Sequence, residues 1–142
     1  MKIHDTATDD LPVTVPNGWP ALNVSQFQQD KNIGKEVDAN RLKEVLTIAA
    51  SEVSRNFDMD ILDLPLADEE QIYFKLAVFE LAFARLLPSL PVNNQHDSNM
   101  ADPEGMTKRI ALLKRNSLGF QREIPGFKPK PSTGSVFIHA TT

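Results

Sequence analysis

The longest apolar pattern in the chain lies at residues 72–87, IYFKLAVFELAFARLL, where only Lys75, Glu80 and Arg85 are charged. At about 100° per residue these three point in different directions around a helix, so the segment is apolar nearly all round and predicts a helix covered by its neighbours. It is too short and too charged to span a bilayer. Upstream, Leu42, Val45, Leu46, Ala49, Val53 and Phe57 follow the three-four spacing of an amphipathic helix over residues 39–57, with Asp38 as N-cap. Before it, NVSQFQQDKNIG predicts a short helix opened by Asn23 or Ser25 and stopped near Gly34. Downstream, Asp102, Pro103 and Glu104 form a helix start, and Gly119 predicts a left-handed stop after Leu118. In that last helix Met106, Ile110, Leu113 and Leu112 are expected to face inward, and Lys108, Arg109, Lys114 and Arg115 outward.

The connections are of a different kind. Residues 58–70 contain six acids and no base, with Ile61, Leu62, Leu64 and Leu66 expected to tuck onto the core and Pro65 to hold the turn. Asp58, Asp60 and Glu69 have a superficial calcium-loop spacing, but Leu62 stands at the fifth position and Asp63 where the sharp turn needs glycine. Asp68 and Gln71 predict a capping box at the start of the central helix. Pro12, Pro16 and Pro20 forbid a helix in the first 22 residues and predict an extended segment, either a disordered terminus or an arm whose anchor on a neighbouring subunit would be Trp19. The last residues return to proline and glycine and end with Val136, Phe137 and Ile138, a short strand with no partner strand in the chain, which is either floppy or adds to a β edge on another molecule.

The resulting fold class is mainly α, a small bundle of three to four helices with two extended arms. The organisation is an arm over residues 1–22, a helical domain over 23–119 and a second arm over 120–142. The length of 142 residues suits one domain. No apolar run follows the first lysine, so a signal peptide is not expected, and the absence of cysteine excludes disulfides and thiolate metal sites.

Charge divides the chain. The net charge of −4 is the balance of an acidic body and a basic end: residues 23–102 carry −7 and residues 103–142 carry +5. That distribution disfavours wrapping nucleic acid over a broad surface but permits a local phosphate contact or head-to-tail docking between copies. His4, His96 and His139 have no partner at metal-ligand spacing, and no phosphate loop, G-x-S-x-G or H-E-x-x-H motif is present. No catalytic, metal or cofactor site is expected, and contact with other proteins is the expected work, with arms that order on a neighbour.

The order WPALNVSQF, IGKEVDANRLKEVLTIAASEV, IYFKLAVFELAFARL and TKRIALLKR resembles the head completion proteins of tailed bacteriophages with contractile tails, within the broader head-to-tail connector or adaptor family. The resemblance covers roughly residues 17–118 and rests on order and pattern, with the Trp19-Pro20 entry, the Arg41-Leu42 start and the aromatic-rich helix from Ile72 as shared features. It implies a virion protein of the neck that docks as a ring, typically of twelve copies, under the portal protein after DNA packaging and offers the surface for a tail terminator or other neck protein. It brings no catalytic residues. In such a ring, Asp58, Asp60 and Asp63, or acids of the first helix, would line a channel through which double-stranded DNA slides without sequence recognition, the alternative being an acidic outer rim. The SVFIHATT ending resembles the C-terminal segments of other connectors more than those of head completion proteins. Another phage neck or tail-completion role, a small intracellular helical adaptor or regulator, and an enzyme remain open alternatives.

Overall fold

The computed structural model describes residues 11–90 and 103–128. Four α-helices follow one another: α1 (Val24–Asp30), α2 (Ala39–Ser54), α3 (Asp68–Leu86) and α4 (Pro103–Gln121), with a 3-10 turn, Leu87–Ser89, continuing α3. The fold is mainly helical, and its only β pairings among the described residues are two isolated bridges, Pro12 to Asn23 and Phe57 to Phe127.

Local chemistry sets the helix ends. Asn23 caps α1 by accepting from the Gln26 amide at 3.0 Å, and Asp38 caps α2 by accepting from the Asn40 amide at 3.0 Å. Asn32, not Gly34, stops α1: it takes φ 53°, with Ile33 N–H on the Gln28 carbonyl at 2.9 Å and Asn32 N–H on that of Gln29 at 3.2 Å. That pattern satisfies two carbonyls that the helix end would otherwise orphan. The cap of α3 is Ala67, one residue earlier than expected. Its N–H is taken by the Glu70 carboxylate at 3.1 Å, while Gln71 Nε2 donates to the Leu66 carbonyl at 2.9 Å. Three acids in the first turn complement the positive end of the dipole. Helix α2 ends at Ser54, so Phe57 lies beyond it.

Helix α3 is the centre. Phe74, Ala77, Val78, Phe79, Ala82, Phe83, Ala84 and Leu86 are buried along it, with α4 and α2 packed against it. Pairings of Ser117 with Ala77 and of Arg109 with Phe83 show that α4 runs antiparallel to α3.

The described residues on either side of the helices, 11–23 and 122–128, also pack on the core. Residues 11–23 fold back on themselves: Val13 N–H reaches the Leu22 carbonyl and Val24 N–H that of Leu11, each at 3.4 Å. A turn closes the return, with Trp19 N–H on the Pro16 carbonyl at 3.1 Å and Gly18 at φ 90°, a conformation that disfavours any side chain. Val13, Trp19 and Leu22 are buried. At the other end α4 passes through Gly119 without stopping and ends at Gln121. Ile124 then inserts into the core, and Phe127 packs edge-on to Phe57 with centroids 5.8 Å apart.

Gly126 makes that last approach possible. It has φ 95°, and a Cβ there would meet Leu62 N at 3.3 Å and the Asp58 carbonyl oxygen at 3.4 Å. Gly126→Ala is expected to lower stability by about 1–3 kcal/mol, read from a urea midpoint. A midpoint equal to that of the parent chain would show that the segment is not held in this conformation.

Candidate functional site

The expected site residues fall into four groups. Trp19 is spent inside its own chain: it is 7% exposed, with its ring 4.8 Å from Phe74 and 5.5 Å from Phe57. Burial of this kind removes it as an anchor on a neighbouring subunit, because the apolar area that would drive that contact is already covered. Val136, Phe137 and Ile138 lie outside the described residues, as do His4, His96, His139 and Asp102.

Asp58, Asp60 and Asp63 sit on a pinned turn. Asp58 N–H donates to the Gly126 carbonyl at 2.8 Å, and the Asp58 carbonyl accepts from Ile61 at 3.0 Å and Leu62 at 2.9 Å. The Asp58 carboxylate accepts from the Asp60 amide at 2.9 Å. Leu62 and Leu66 go inward as expected. Ile61 does not: it is 62% exposed and Met59 57% exposed. The hydrogen bonds of the turn fix Leu62 under it, and Ile61 has to point the other way. Two large apolar side chains therefore stand in solvent between Asp58, Asp60 and Asp63.

The basic residues of α4 do not share one face. Lys108 and Arg115 are seven positions apart and lie nearly in line, while Arg109 and Lys114 stand about 100–120° to either side. Arg109 is half-buried with its guanidinium 6.0 Å from the Phe83 ring centroid. Lys114 borders a surface pocket of about 340 Å³ together with Ile110 and Arg85. Leu112, expected inside, is 45% exposed, because its place on the helix is between Lys108 and Arg115. The inward face is instead Leu113, Ser117 and Gln121, with Met106 and Ile110 packed partly against the core.

Polar groups inside the bundle are occupied in joining helices. Glu80, 9% exposed, receives Lys31 Nζ on Oε2 and Asn116 Nδ2 on Oε1 at 3.2 Å, which ties α1, α3 and α4 together. Lys31 Nζ also lies 5.9 Å from the Phe83 centroid. A second chain runs from Asn56 Nδ2 to Gln121 Oε1 at 2.9 Å, from Gln121 Nε2 to Ser117 Oγ at 3.1 Å and from Ser117 Oγ to the Ala77 carbonyl at 2.7 Å. On the surface Arg85 grips Glu52 with two nitrogens, Nε at 3.0 Å and one terminal amine. Sequence reasoning named neither Glu80 nor the Ser117–Gln121 pair as interior. Their signal was helical spacing alone, since 113, 117 and 121 continue one face.

Among the described residues no group of three or more His, Asp or Glu side chains could hold a metal ion, and no helix is long and apolar enough to cross a membrane. A pocket of about 430 Å³ lies between α3 and α4, bordered by Tyr73, Arg115, Asn116 and Phe120. Compared with known proteins, the chain matches no family model, no curated protein and no solved structure.

Proposed function

We propose that this protein is a structural subunit of a bacteriophage neck, a head-to-tail connector of the head-completion type that assembles as a ring beneath the portal and presents the tail attachment surface. The observation that carries the reading is the division of labour among its polar residues. The buried ones, Glu80, Ser117 and Gln121, are all engaged in tying helices to one another, with part-buried Lys31 and Asn56 and surface Asn116 as partners. What the described chain offers to other molecules is on its surface: an acidic turn carrying exposed apolar side chains and a basic helix. Such a molecule is suited to contact, and the order of its elements resembles that of connector subunits. Asp60 and Asp63, both exposed, are proposed to face the DNA channel or the joint between subunits, where negative charge discourages the duplex from sticking.

Co-expression with the portal protein encoded in the same phage genome tests this reading. A portal-bound ring, seen in electron micrographs of the co-purified complex, is expected. No association of the full-length chain with portal at any ratio would end the proposal. A chain shortened by residues 129–142 keeps Phe127 and its bridge to Phe57, so it is expected to melt at the parent temperature yet lose portal binding. Full binding by the shortened chain would take Val136, Phe137 and Ile138 out of the assembly.

A further inference from the structure

We infer that copies of this chain join head to tail, the acidic turn at residues 58–63 of one copy seated on the Lys108, Leu112 and Arg115 stripe of the next. This deepens the ring reading and rests on it for the presence of a repeated neighbour.

The two surfaces match in two respects. Each places large apolar side chains in water, Met59 and Ile61 on the turn and Leu112 on the helix, and bringing them together removes apolar area from solvent. Each flanks its apolar centre with one sign of charge, Asp60 and Asp63 against Lys108 and Arg115.

The charges are available for such a contact. Asp60, Asp63 and Arg115 form no ion pair with another described residue, and the Lys108 bridge to Glu104 is a 3.9 Å pair with both side chains largely in solvent. Within one copy the turn is tied to Gly126, past the end of α4. A symmetric contact centred on either surface would set acid on acid or base on base, which costs association. A head-to-tail contact leaves one turn and one stripe free on every pair, so growth continues until a ring closes.

The chain has no cysteine, which makes crosslinking specific. Met59→Cys and Leu112→Cys variants, mixed in equal amounts at high concentration and treated with a short bismaleimide, are expected to give a covalent dimer of one copy of each. Either variant alone should stay monomeric, and the double variant should give a ladder of products. Lys108→Glu with Arg115→Glu should weaken association by at least tenfold, and pairing that variant with an Asp60→Lys, Asp63→Lys copy should restore it. Raising salt from 0.1 to 1 M shortens the screening length from about 10 to 3 Å and should weaken association in the parent chain. Efficient dimers of the Met59→Cys variant alone would overturn the inference in favour of a symmetric contact. Oligomers visible by sedimentation without a mixed product would overturn this contact and leave the ring reading standing. Absence of oligomers both alone and on portal would remove both.

Discussion

Phe74→Ala is expected to lower the unfolding free energy by about 3–5 kcal/mol, the range for deleting a fully buried aromatic ring. Phe74 is completely enclosed on α3, and its ring supports Trp19, which in turn leans on Phe57. The cavity would therefore open between α3, the folded-back segment at residues 11–23 and the chain leaving α2. Relaxation there is restricted, because Gly18 at the turn already lies against Leu64. Trp19 is the sole tryptophan, so urea titration followed by its fluorescence reports on this site, and circular dichroism at 222 nm reports on the helices. Both transitions should shift together. Ile72→Ala on the same helix removes a side chain that is half in solvent and should cost well under 1 kcal/mol. Equal effects from the two substitutions would mean that the burial assigned to α3 is wrong.

Much of this architecture was legible in the sequence because local and long-range preferences agree. In α2, the cap residue Asp38, the apolar spacing and the observed buried set Leu42, Val45, Leu46, Ala49 and Val53 coincide. In α3 the apolar run is buried nearly all round because three other segments surround it. Failures arose where a polar residue did what an apolar one usually does. Ser117 and Gln121 continue the inner face of α4 by hydrogen bonding to α3 and to Asn56, and hydropathy alone ends that face at Leu113. Gly119 predicts a stop, yet a helix that gains contacts on both sides of a glycine can bear the cost of about 1 kcal/mol. Ile61 and Leu112 went the other way. Their apolar character predicted burial, but Asp58 pins the turn and the phase of α4 is set by Leu113, leaving both outside.

Trp19 shows the same limit from another direction. Three prolines at every fourth position correctly exclude a helix, but they do not decide whether an extended segment leaves the domain or folds back on it. That decision belongs to the Gly18 turn and to the aromatic slot between Phe57 and Phe74, which lie far from Trp19 in sequence. The candidate site was therefore legible as charge, acidic at residues 58–63 and basic in α4. It was not legible as shape, because the exposed apolar residues that give those charges a centre appear only once the turn is folded.

Lys31→Ala is expected to cost about 3–5 kcal/mol, the penalty for leaving one member of a buried ion pair uncompensated. Glu80 would keep only the Asn116 amide, and its carboxylate has little access to water. Loss of Lys31 also takes a cation from the neighbourhood of the Phe83 ring. The double variant Lys31→Met, Glu80→Leu should recover most of that loss, because apolar side chains of similar volume fill the same space without desolvating charge. A double-mutant cycle by urea denaturation measures the coupling, and a coupling under about 0.5 kcal/mol would show that the two residues act independently. The recovered variant has a further use. Asn116 reaches Glu80 from the position next to Arg115, so the Lys31–Glu80 pair helps to fix how α4 is turned about its axis. If stability returns in the double variant while association between copies stays weakened, the polar pair is there to orient the outer stripe of α4, and stability alone does not explain its place in the core.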